Sequence, residues 1–132
     1  MKKTIVKNEY YEMSVDVEIN RAYWVMRGQW KKISDIPDYR RHTKEAMSLL
    51  RPGFTSVIDL SEFKTPSPEV LELLMEVAKE TEDSSQGRQA QIINKEDMEI
   101  VRTSRNVMKE ADMDTRMMQF DNYEEAIEWL DR

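Results

Sequence analysis

Residues 53–70, GFTSVIDLSEFKTPSPEV, limit the fold more than any other stretch of the chain. Val57, Ile58 and Leu60 form a short apolar run with Asp59 inside it. A polar loop follows, and Ser67-Pro68-Glu69 then opens a helical pattern. A short apolar run bounded by turn residues reads as a buried strand, here residues 54–60. A strand passing through a loop into a helix is half of a parallel crossover unit. The junction also presents free backbone N–H groups and the positive end of a helix dipole. Open parallel sheets place ligands beyond the carboxyl ends of their strands, so the working surface is expected here.

Upstream, residues 11–19 alternate. Tyr11, Met13, Val15, Val17 and Ile19 face one way, and Glu12, Ser14, Asp16 and Glu18 the other. That is a half-buried strand. Asn20-Arg21 turns the chain into a second strand over 22–29, apolar on both faces at Tyr23, Trp24, Val25 and Met26 and therefore expected to be covered on both sides. Gly28 marks its end. After a connector, Ser34 or Asp35 can cap a helix that tolerates Pro37 in its first turn. Tyr39, Thr43, Ala46, Met47 and Leu50 give that helix its apolar stripe, and Pro52-Gly53 stops it.

Downstream, Val70, Leu73, Leu74, Val77 and Ala78 form the stripe of a second helix, with Ser67 as its cap. Residues 80–86 are polar, and Gly87 breaks the chain. A short strand spans 89–93. Asn94 caps a third helix striped by Met98, Val101, Ser104, Met108 and Ala111. A strand over 115–120 precedes a fourth helix, where Asn122 and Glu125 resemble a capping box. The expected fold is α/β: one mixed sheet of about five strands, an antiparallel hairpin first and β-α crossovers after it, with about four helices, in a single domain over residues 1–132.

Composition narrows the chemistry. The net charge of −6 argues against a general nucleic-acid surface. There is no cysteine and only one histidine, His42, which excludes thiolate chemistry and multi-histidine metal sites. No cofactor is expected. Three glycines cannot build a phosphate-binding or dinucleotide loop. The N-terminus lacks an apolar signal region, and no apolar run approaches the ~20 residues of a membrane span, so a cytoplasmic location without a transmembrane segment is expected. A Ser-His-Asp set from His42, Asp59 and Ser61 or Ser67 has no supporting motif. Arg40, Arg41 and Lys44 form a basic face that reads as solvated surface.

The element order resembles the STAS domain of anti-sigma-factor antagonists such as SpoIIAA. The likeness rests on Arg27-Gly28-Gln29 ending the hairpin, Val57-Ile58-Asp59-Leu60-Ser61 on the central strand, and Asn122-Tyr123-Glu124-Glu125-Ala126 opening the last helix. The spacing of Arg51-Pro52-Gly53-Phe54, Asp59-Leu60-Ser61 and Phe120, Ala126 and Trp129-Leu130 is similar to the small stand-alone SpoIIAA-like proteins, a group related to CRAL-TRIO lipid-binding domains. The resemblance implies a non-enzymatic regulatory domain that docks an unknown protein partner. Docking would use the loop and helix after the central strand, with Asp59, Ser61, Thr65 and Ser67 as candidate regulatory or docking residues. In SpoIIAA-type proteins a serine in an Asp-Ser-Ser-Gly signature is phosphorylated there. This chain has Lys64-Thr65-Pro66-Ser67-Pro68 instead, with Ser67 the nearest counterpart.

The alternative is a carrier of an apolar small molecule or lipid. Ten methionines suit an adaptable lining, and Trp24, Met47, Met75, Met98 and Met117 are the candidate cavity residues, with Met108, Met118 and Trp30 beside them. A homodimer through a sheet edge or a helix face is a further expectation.

Overall fold

The computed structural model describes residues 1–83 and 86–132. One sheet of six strands runs in strict chain order. Strands β1 (Lys2–Lys7), β2 (Tyr11–Asp16) and β3 (Arg21–Gly28) are antiparallel, while β4 (Thr55–Phe63), β5 (Gln89–Ile92) and β6 (Met117–Phe120) continue parallel to β3. The helices are α1 (Tyr39–Met47), α2 (Pro68–Asp83), α3 (Met98–Glu110) and α4 (Tyr123–Leu130).

The sixth strand is β1, which the sequence pattern does not announce. Its partly buried residues, Ile5 and Val6, are adjacent rather than alternating, because a bulge between Thr4 and Val6 shifts its register against β2. A bulge breaks the period of two by which a strand is read.

Each parallel crossover steps in the same direction along the sheet. Right-handed crossovers that never reverse put their helices on one face. Accordingly Tyr39 and Ala46 of α1, Val70 and Val77 of α2 and Ile100 of α3 share one core with Trp24, Met26 and Leu60. Helix α4 crosses to the other face, where Ala126 and Leu130 pack on Val57, Ala90 and Ile92. Its contacts reach β4, β5 and β6. The back of β3 is covered only in part: Tyr23 packs against this α4 cluster but, like Val25, is half-buried, and Lys2 Nζ lies 3.8 Å from the centre of the Tyr23 ring. The expectation of cover on both sides of β3 is corrected to this extent.

Several boundaries also move. β2 stops at Asp16, and Val17 and Ile19 are exposed in the turn before β3. Ser34 and Asp35 lie in a short 3-10 turn, so α1 begins later, after Asp38. β4 continues through Ser61 to Phe63. α2 continues to Asp83, taking in the first four residues of the stretch 80–86 read as a polar connector; Ser84 and Ser85 lie outside the described residues. α3 is capped by Asp97, whose carboxylate accepts from Ile100 N at 3.2 Å, while Asn94 accepts from Glu96 N.

Gly87 is where two segments meet backbone to backbone. Its N–H donates to Phe54 O at 2.7 Å. A Cβ there would stand 2.8 Å from Gly53 O and 3.1 Å from Phe54 O, which no side chain tolerates without a backbone shift.

Candidate functional site

Between the sheet and helices α1 to α3 lies a cavity of about 110 Å³. Residues of alternate strand positions point into it: Ala22, Trp24 and Met26 from β3, Ile58 and Leu60 from β4. Met47 of α1, Leu74 and Val77 of α2 and Val107 and Met108 of α3 close it from above. No charged side chain and no histidine lines it among the described residues. Tyr39 also lines it, and burial pushes its hydroxyl well above the ordinary tyrosine range, so this wall stays neutral too.

One end of the cavity differs chemically. Gln89 and Gln91 alternate with Ala90 and Ile92 along β5, so both glutamines face the cavity while Ala90 and Ile92 face α4. They are 3% and 2% exposed. Ser56 sits opposite Gln89 in the β4–β5 register and accepts from Gln86 Nε2 at 3.0 Å. Ser104 of α3 closes this polar end. A small apolar body with a few convergent polar groups is the usual chemistry of a ligand pocket.

The comparisons bear on the fold. No family model and no curated protein matches the chain. A crystal structure from Shewanella loihica PV-4, an uncharacterized DUF3478-family protein described as having a SpoIIAA-like fold, superposes with a TM-score of 0.58 at 13% identity, covering 98% of this chain and 92% of that one. The fold is SpoIIAA-like.

Within the SpoIIAA-like fold, the residues singled out from sequence fall in separate places. Asp59 and Ser61 both lie on β4. Asp59 Oδ1 accepts from Ser61 N at 3.0 Å and from Ser61 Oγ at 2.6 Å, so this carboxylate closes a local turn of hydrogen bonds on its own strand. Tyr123 lies near it at the start of α4. Burial first, and then the Asp59 charge, push the Tyr123 hydroxyl up to about 12. Ser67 caps α2: its Oγ accepts from Val70 N at 3.3 Å and its carbonyl from Leu71 N at 2.9 Å. Thr65 precedes it, and its carbonyl accepts from Gln29 Nε2 at 3.4 Å.

His42 is on the α1 side of the sheet, where its Nδ1 shares a 2.7 Å hydrogen bond with Tyr11 Oη. Tyr11 belongs to an aromatic cluster with Trp30 and Tyr39. Asp59 is on the opposite face, toward α4, so the sheet separates the two groups.

Of the candidate cavity residues, Trp24 and Met47 line the void, as does Met108. Met98 is 60% exposed and Met118 47% exposed, while Met75 and Met117 are half-buried outside the lining. Methionine count alone could not sort these, because a helix or strand places only one face inward. The polar end was missed altogether. Its signal is the Gln-Ala-Gln-Ile alternation: once helices cover both faces of β5, the polar alternates must be buried. Among the described residues no helix is long and apolar enough to cross a membrane, and no cluster of His, Asp or Glu could hold a metal ion.

The SpoIIAA-like sheet also lacks a reversal of strand order. A crevice at strand ends forms where neighbouring crossovers leave in opposite directions. The cavity lies between the layers and reaches the β4–α2 junction at Phe63, Pro66 and Leu71.

Proposed function

We propose that this chain is a non-enzymatic protein that binds a small, largely apolar molecule between its sheet and its helices. The observation that carries this reading is the cavity of about 110 Å³ walled by β3, β4, β5 and three helices. An apolar molecule seated between these walls gains dispersion contacts along the whole lining. The volume is of the same order as the ~150 Å³ engineered cavity that takes up benzene. A ring-sized molecule suits it better than the acyl chain of a lipid. The non-enzymatic part is supported by the separation of His42 from Asp59 and Ser61 across the sheet, and by a cavity wall without an ionisable acid or base of ordinary pKa.

Titration with benzene, followed through the methyl resonances of the methionines, tests the reading. Saturable shifts are expected at Met47 and Met108, with none at the exposed Met98 and Met118. Ala78→Leu, which places a larger side chain into the cavity wall, should abolish them. No shift at the solubility limit of benzene would overturn the proposal.

A further inference from the structure

The polar end of the cavity belongs to a chain of hydrogen bonds whose direction is fixed from outside. Arg105 Nε donates to Gln119 Oε1 at 2.9 Å. A guanidinium can only donate, so the Gln119 oxygen must face it. Two further contacts hold Gln119 the same way round. Its Nε2 donates to Val101 O at 3.2 Å, and a carbonyl can only accept; it also donates to Ser104 Oγ at 2.9 Å, whose own proton goes to Ile100 O at 2.8 Å.

The direction then propagates along the sheet. Gln119 Nε2, whose two hydrogens are shared among three acceptors, also donates to Gln91 Oε1 at 3.2 Å, directly across the β5–β6 pairing. Gln91 Nε2 in turn donates to Gln89 Oε1 at 2.9 Å. Gln89 is therefore left with its Nε2 as the terminal group. That nitrogen donates to no described residue, although Gln89 is only 3% exposed. Among the described residues, no side-chain nitrogen or oxygen fully shut away from solvent lacks a partner. The small accessible part of Gln89 thus includes its amide donor, and Gln89 is a residue of the cavity lining.

We propose that Gln89 Nε2 is the recognition donor of this cavity, and that the ligand is an uncharged, compact apolar molecule bearing one hydrogen-bond acceptor, such as a cyclic or aromatic carbonyl compound. The proposal rests on the reading of the cavity as a ligand site. The acceptor meets Gln89 and the apolar body meets Trp24, Met47 and Met108. A carboxylate does not fit, because no cationic side chain lines the cavity to offset its desolvation. A plain hydrocarbon leaves the buried donor unpaired, which costs more than the bond itself contributes.

Two probes of similar shape separate these ideas: cyclohexanone, which carries an acceptor, and methylcyclohexane, which does not. Binding to the native chain is followed by the methionine methyl resonances and by the side-chain amide resonance of Gln89. Cyclohexanone should move the Gln89 amide, and Gln89→Met, close in volume and without the donor, should weaken its binding about tenfold while hydrocarbon affinity does not fall. A cyclohexanone complex in which the Gln89 amide does not move, or a loss in Gln89→Met shared equally by both probes, would overturn the role of Gln89 and leave the cavity reading intact. Binding of neither would overturn both. The amide resonance of the native chain decides the matter even if Gln89→Met does not fold.

Discussion

Arg21 Nη2 donates to Asp131 Oδ1 at 2.7 Å, tying the first residue of β3 to the residue that ends α4. The guanidinium is 6% exposed and the carboxylate 61%. Nε of the same guanidinium donates to Thr55 Oγ1 at 2.8 Å. Removing the carboxylate strands a buried charge with one partner. Asp131→Ala is expected to cost about 1–2 kcal/mol, less at high salt because the carboxylate is solvated. Urea denaturation at low and high ionic strength measures it; an unchanged midpoint at low salt would show that water replaces Asp131 without loss.

Ser67 holds the start of α2 through Val70 N. Ser67→Ala should lower stability by about 1 kcal/mol, while Ser67→Asp, which keeps an acceptor at the same place, should lose much less. If Ser67→Ala unfolds at the same denaturant concentration as the native chain, the cap contributes nothing.

Gly87→Ala should destabilise the chain by about 1–3 kcal/mol, as overpacking does. The new methyl meets backbone carbonyls of Gly53 and Phe54, not the movable end of a side chain. A thermal melt of the variant within a degree of the native one would show that the segment shifts freely.

Tyr123 gives stability a pH dependence on the alkaline side. Its hydroxyl is pushed from 10.0 to about 12 by burial and then by Asp59. Between those values the folded state keeps the proton and the unfolded state has released it. The contribution is therefore fully present below pH 10 and is lost as pH rises toward 12. Tyr123→Phe should flatten that part of the profile. Asp59→Asn should lower the Tyr123 midpoint, read as the difference in ultraviolet phenolate absorbance between Asp59→Asn and its Tyr123→Phe double variant. No movement of the midpoint would leave burial as the whole cause.

The sequence pattern carried the four helices and five of the strands, because their apolar residues recur at periods of 3.6 or 2. It failed where pairing, not burial, defines the element. β1 is held by backbone ladders to β2 and has almost no buried face. At β4 the pattern ended at Leu60, because Ser61 and Glu62 are exposed, yet the ladder to β3 continues to Phe63. The site was less legible. Trp24 and Met47 were readable as cavity residues, but which methionines join them depends on helix rotation. Gln89, Gln91 and Gln119 meet only after β5 and β6 align. A local reading favoured the β4–α2 junction, which supplies Phe63, Pro66 and Leu71 to the cavity lining, while the rest of the wall comes from strands and helices distant in sequence.

That strand order also has a consequence in time. Every strand pairs with the one made just before it, so during synthesis the sheet can lengthen at one growing edge, each new strand finding its neighbour already in place. No strand must wait, exposed and unpaired, for a partner from the far end of the chain. The guanidinium of Arg21 is the exception: its carboxylate, on Asp131, arrives only after the last strand and α4 have been made, so the contact that ties α4 to the sheet is also among the last to form.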